Sequence, residues 1–369
     1  MATEVQQPPR QVDVRALVLR AAVPLLAIFT ALVIGALIIF ATGASVAEAY
    51  SGLFNGALGS PRAIAGTLVE STPYMLAGLA VAVGFKCGLF NVGAEGQLII
   101  GSLAAAVAGS ALPGLPILIH LPLALLAGAL GGALWGAIPG LLRARTGAHE
   151  VIVTIMMNYV AIRLVDFLIK GPLRDPTSSA PRTPFVAESA RLPYLFGEDY
   201  RLHLGFLLAI VIAFAVAWLL NRTTVGFEIR TVGANPDAAS YAGMSITKNF
   251  VLAMALSGGL AGLAGATTVL GVEFNYKAAF SGGYGFDAIA VALLGASNPI
   301  GIIPAAIFWG ALRNGAGLMQ LQSGISINLI NIIQALVIIF VAADVIVRWI
   351  YRLPKRSGDQ SVFSRGWGK

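Results

Sequence analysis

Residues 21–41 form an unbroken apolar run of about one bilayer thickness, at 1.5 Å of helical rise per residue. No other feature constrains the fold as much. In lipid every backbone polar group must be satisfied internally, which leaves helices or closed barrels. Apolar runs recur at 63–85, 98–111, 121–142, 151–169, 204–220, 250–272, 285–297, 300–320 and 327–347. The expected fold class is therefore an all-α polytopic membrane protein of about ten transmembrane or re-entrant helices. The chain is 57% hydrophobic and 11% charged, where soluble domains are about a quarter charged. The first run is too long for a signal-peptide core and further spans follow, so it reads as a signal anchor.

Charge placement sets an expected topology. Arg10, Arg15 and Arg20 precede the first span, 143–150 is basic, and Arg348, Arg352, Lys355, Arg356, Arg365 and Lys369 follow the last. The positive-inside rule then puts both termini in the cytoplasm of a multi-pass cell-membrane protein. The expected divisions are a tail at 1–20, a transmembrane domain at 21–347 and a tail at 348–369. Residues 51–62 read as a short outer loop. Residues 170–203 read as an outer connector punctuated by Pro172, Pro176, Pro181, Pro184 and Pro193, unusually long for a segment without a role. The net charge of +7 marks membrane orientation rather than a nucleic-acid partner.

Within this apolar background, residues 84–106 are anomalous. They carry Lys86, Asn91, Glu95 and Gln97 among repeated glycines. A charge at a helix centre costs roughly 2.5–3.5 kcal/mol, and glycine-broken backbone at that depth must be buried in protein or line a wet cavity. Asn91, Glu95 and Gln97 are thus candidates to line a solute path, to hold a re-entrant turn, or both; Lys86 is the cation available to Glu95. Thr154 and Asn158 share one helix face, suited to interhelical bonding or to the path. Asp287 reads as a helix cap or a path residue, and Phe274, Asn275 and Tyr276 as the outer mouth. A second glycine-broken stretch at 282–301 mirrors the first, and paired interrupted helices point to a solute path between two halves. Gly128, Gly132, Gly136 and Gly140 recur at every fourth position, a stripe for close helix packing.

The polar segment 221–249 contains a short helix signal: Asn235 as N-cap, Pro236 at the first helical position, Asp237 in the first turn and Gly243 as stop. It reads as a docking element for a soluble partner or as a surface loop. No Walker A, HExxH or GxSxG motif occurs; Cys87 is the one cysteine, and His120, His149 and His203 lie apart. No cofactor, metal site or catalytic residue is expected, and the chain reads as a transport subunit rather than an enzyme.

Three motifs carry a resemblance. FNVGAEGQ at 90–97, HEVIVTIMMNYVA at 149–161 and GFEIRTVGANPDAASYAGMSITK at 226–248 resemble permease subunits of ABC importers for simple sugars and nucleosides. The long connector is most similar to the larger permease of nucleoside systems. The resemblance covers about residues 20–350. It implies a larger-bundle importer fold, a second permease, a cytoplasmic ABC ATPase and an extracytoplasmic solute-binding protein. It also implies that Gly233, Ala234, Asn235, Pro236, Ala238, Ala239, Tyr241 and Gly243 contact the ATPase. The expected function is ATP-driven import of a neutral polar solute, nucleosides first and simple sugars second, by alternating access. A proton-coupled secondary transporter using Glu95 or Asp287 is the rival from another class, and a membrane-embedded enzyme a third.

Overall fold

Apolar runs separated by glycine, proline and polar turns fold into a helical bundle with no strand among the described residues. The computed structural model describes residues 14–352 except 279, 281 and 327. Residues 1–13 of the expected N-terminal tail and 353–369 of the basic C-terminal tail lie outside the described residues. The helices are α1 (Val14–Ala41), α2 (Val46–Leu58), α3 (Pro61–Lys86), α4 (Ala94–Ala111), α5 (Ile117–Thr146), α6 (Glu150–Lys170), α7 (Gly205–Arg222), α8 (Thr224–Ala234), α9 (Pro236–Tyr241), α10 (Ile246–Thr268), α11 (Tyr284–Leu294), α12 (Pro299–Ser323), α13 (Asn328–Ala342) and α14 (Asp344–Ile350). A π-helical turn, Val269–Glu273, extends α10.

Among the described residues, seven helices are long and apolar enough to cross a membrane: most of α1, then α3 to α7, and α10 with its π turn. With α11, α12 and α13 they occupy the positions of the ten apolar runs. Burial sorts them into layers. The apolar window of α3 is 78% buried, whereas those of α5 and α6 are 28% buried. Thus α3, α4 and α10 form the core, and α1, α5, α6 and α7 turn large side chains such as Phe29, Leu134, Phe167 and Trp218 outward.

The glycine stripe of α5 packs on α10. A Cβ on Gly132 would stand 2.2 Å from the Gly258 carbonyl oxygen, and one on Gly262 would stand 2.2 Å from that of Gly128. Backbone meets backbone there, and only glycine permits it.

Several expectations change. Residues 51–62 are not a loop: Ala49, Leu53 and Ala57 recur at helical spacing and bury α2 against α12. The helix over the apolar run 98–111 is longer than that run, because α4 begins at Ala94, inside the polar motif, and runs 18 residues. α11, by contrast, has only 11 residues, about 16 Å, and is a half-helix. The run at 327–347 breaks at Ala343 between α13 and α14. The segment at 221–249 holds two helices, α8 and α9, rather than one.

The bundle has two ends. One carries the 87–93 hairpin, the α8–α9 segment and the turn at 295–298. The other carries α2 and the 171–204 connector, which is laid over the ends of α4 and α10. There Ala187 N–H donates to the Gly109 carbonyl at 2.9 Å, Leu192 N–H to Leu270 at 2.8 Å and Val186 N–H to Phe274 at 2.8 Å.

Candidate functional site

The hairpin between α3 and α4 forms because Gly88 takes the left-handed conformation (φ 73°), open mainly to glycine, and turns the chain back into the bundle. Its polar side chains then saturate one another. Asn91 is wholly buried: Nδ2 donates to Gln97 Oε1 and to Ser257 Oγ, each at 2.8 Å, and Oδ1 accepts from Gly93 N–H at 2.9 Å and Gln97 Nε2 at 3.2 Å. Ser257 in turn donates to the Ala80 carbonyl at 2.6 Å, tying α10 to α3. From α6, Asn158 accepts from Gly96 N–H at 2.8 Å and donates to the Val92 carbonyl at 3.0 Å. Thr154, one turn earlier, is buried and packs where a Cβ on Gly93 would stand. Broken backbone at membrane depth is thereby satisfied by Asn158 of α6 and by Asn91 of its own turn, which Gln97 of α4 braces.

Glu95 looks the other way. Its Oε2 accepts from Gly285 N–H at 2.7 Å, and a Cβ on Gly285 would stand 2.2 Å from Glu95 N. The first turns of α4 and α11 meet backbone to backbone, so the two glycine-broken stretches touch. A carboxylate at the start of both helices suits their positive ends. Lys86 lies instead at the α9 end, within electrostatic reach of Arg230.

Asp287 belongs to a separate group. Tyr74 Oη donates to its Oδ2 at 3.2 Å, and Tyr284 Oη donates to Glu70 Oε2 at 3.3 Å. The two tyrosine rings meet edge to face at 5.0 Å. Arg313 of α12 lies within electrostatic reach of both carboxylates. In the sequence Glu70 lies within the apolar run 63–85; Tyr74, Tyr284 and Arg313 gave no signal there, because nothing local links them.

Phe274 and Asn275 lie at the connector end. Phe274 takes a left-handed conformation (φ 57°) under the Arg191 guanidinium, 4.7 Å from the ring centroid, and Asn275 is buried. Tyr276 is buried against Phe280, and its carbonyl accepts from Thr183 N–H at 2.9 Å. In the same connector, Thr177 hydrogen bonds hold the Asp175 carboxyl below the usual carboxylate range. Burial pushes His203 down to about 4.

At the α9 end, Asn235 caps α9 by accepting from Ala238 N–H at 3.0 Å, and Pro236 opens it. Gly243 (φ 82°) closes it, with Met244 N–H returning to the Ala239 carbonyl at 3.0 Å. Ala234, Asn235, Pro236, Ala238, Tyr241 and Gly243 are exposed, Tyr241 almost completely at 99%, while Ala239 is buried. Gly233 faces the bundle: a Cβ on it would stand 2.2 Å from the Lys86 carbonyl oxygen and 2.8 Å from Gly88 N. The α8–α9 segment therefore rests directly on the base of the hairpin.

The family profile described as "Branched-chain amino acid transport system / permease component" matches residues 63–342. The chain belongs to this permease family. It is similar to the guanosine ABC transporter permease NupP of Bacillus subtilis, 46% identical over 91% of this chain and 97% of that protein. The nucleoside permease NupB of Lactococcus lactis is 37% identical over 90% of this chain and 93% of its own length. The glucose permease TsgB13 of Haloferax volcanii is 36% identical over 86% of each chain. The same two bacteria hold second permeases, NupQ and NupC, which match at 27% identity. The relatives thus occur as pairs, and this chain aligns with the NupP and NupB members. No solved structure matches the chain. The protein is a multi-pass transport component of ABC type rather than an enzyme, which sets aside the ion-coupled and catalytic readings.

Proposed function

We propose that the chain is the larger permease of an ATP-driven nucleoside importer. The observation that carries this is its 46% identity, across nearly its whole length, to a guanosine permease. The glucose relative supports a simple sugar as the second reading. Guanosine, nucleosides and glucose share a hydroxylated sugar ring, so the solute carries one. Partners are a second permease, an ABC ATPase on the α9 side and a solute-binding protein on the connector side. That orientation puts α9, the basic 143–150 loop and both termini in the cytoplasm.

In this reading the ATPase grips the exposed face of Ala234, Asn235, Pro236, Ala238, Tyr241 and Gly243, with Ala239 and Gly233 seating that face on the bundle. Movement of α9 passes through Gly233 to Gly88, along the hydrogen-bonded hairpin to Glu95, and so to α11. Asn91, Gln97, Thr154 and Asn158 keep the hairpin stiff beside the path. Glu95 and Asp287 border the path, and Phe274 and Asn275 stand near its outer mouth. Replacing 235–243 with a Gly/Ser linker tests the docking half: the ATPase should no longer co-purify and guanosine uptake should cease. Retained uptake would refute it.

A further inference from the structure

Glu70, Tyr74, Tyr284, Asp287 and Arg313 form a group that packing does not require. All lie within helices of the bundle: two on α3, two in the first turn of α11 and one midway along α12. A charge at such depth is costly, and well-packed apolar residues often replace buried ion groups at no loss of stability. The charges are also not closed on one another. Each carboxylate takes one phenol hydroxyl, at 3.2 and 3.3 Å, and the Trp309 indole lies beside Asp287, which still leaves acceptor capacity on both. Among the described residues no ion pair joins Arg313 to either carboxylate. Its Nη2 instead lies 3.3 Å from where a Cβ on Gly282 would stand, against the loop entering α11. Tyr74 is fully buried, whereas Glu70, Tyr284, Asp287 and Arg313 keep a minor part of their surface exposed and Phe286 beside them is 47% exposed. The group is therefore open on one side.

Resting on the nucleoside reading, we propose that this group binds the hydroxylated sugar ring of the solute. A ring hydroxyl both donates and accepts. Vicinal hydroxyls are matched by carboxylate acceptors beside a guanidinium donor, and the apolar face of a sugar suits the tyrosine rings. The base needs no charged partner in this arrangement, which accommodates one site to nucleosides and to simple sugars.

The test is uptake by vesicles holding the complete importer, comparing guanosine with 2′,3′-dideoxyguanosine and using free ribose as competitor. The variants are Tyr284→Phe and Asp287→Asn. Hydrogen bonds to charged groups contribute about 1.5–3 kcal/mol, so the guanosine-to-dideoxyguanosine uptake ratio should fall roughly 10-fold or more in each variant. Inhibition by ribose, present in the wild type and lost in the variants, would support the assignment too. If Asp287→Asn fails to insert, Tyr284→Phe, which removes a single oxygen, decides. An unchanged ratio in the inserted variants, or altered preference among bases with the sugar preference intact, would overturn the assignment and leave the nucleoside reading standing. Absence of guanosine uptake by the wild-type importer would overturn that reading itself.

Discussion

Removing the Asn91 side chain tests whether the hairpin is held by its amides. Asn91→Ala deletes four hydrogen bonds in a site closed to solvent. The loss is not four equal terms. Ser257 keeps its bond to Ala80, so it loses only an acceptor role. Gly93 N–H and both ends of the Gln97 amide lose the partner seen in the structure. Orphaned buried groups cost about 1–3 kcal/mol each. Membrane hydrogen bonds average nearer 0.6 kcal/mol because the unfolded chain finds other partners in lipid. Three groups at the lower bound give on the order of 3 kcal/mol. The assay is SDS unfolding of the purified full chain in mixed micelles, followed by circular dichroism. Gln97→Ala should cost a similar amount, and the double variant less than the sum, since the two share bonds. If Asn91→Ala lies within ~0.5 kcal/mol of wild type, or if the pair is additive, the amide network does not hold the hairpin.

Other consequences are open to measurement. Gly132→Ala should drive α5 and α10 apart and cost roughly 1–3 kcal/mol in the same unfolding assay; Gly317→Ala, with nothing within 4 Å of the new methyl, should be neutral or mildly stabilising. His203 gives a pH signature. Its native value near 4 lies below the unfolded value of 6.5, so the unfolded chain binds the extra proton between the two. Stability should be level above pH 6.5 and fall by about 3 kcal/mol on the way to pH 4. Gly205 N–H donates to Nδ1 at 3.2 Å, so the neutral ring carries its proton on Nε2, and His203→Gln should flatten the pH dependence.

The parts of the fold legible in the sequence are those with local causes. The Gly128–Gly140 stripe announced a close helix contact without naming its partner, Gly258 and Gly262 of α10. Asn235, Pro236 and Gly243 bounded α9 because capping is a matter of a few adjacent residues. Local reasoning failed where polarity was read as loop. Glu95 and Gln97 hid the first turn of α4, although both are satisfied by the hairpin and by Gly285. Ser51 and Asn55 hid α2, although Ala49, Leu53 and Ala57 held its apolar face. The candidate path residues divided by what they touch. Asn91, Gln97, Thr154 and Asn158 come together around the hairpin, Asp287 joins Glu70 across more than two hundred residues of chain, and Phe274 and Asn275 lie under the connector. No spacing rule shows such pairings, since they arise only when α3, α11 and α12 pack.

The most direct measurement concerns Gly233, where the α8–α9 segment touches the hairpin. Gly233→Ala places a methyl 2.2 Å from the Lys86 carbonyl oxygen and must lift α8 off the hairpin, while the exposed face of α9 stays intact. In vesicles holding the complete importer, the ATPase should still co-purify and hydrolyse ATP, and nucleoside taken up per ATP should fall several-fold. Uptake per ATP equal to wild type would show that motion does not reach the membrane path through this contact.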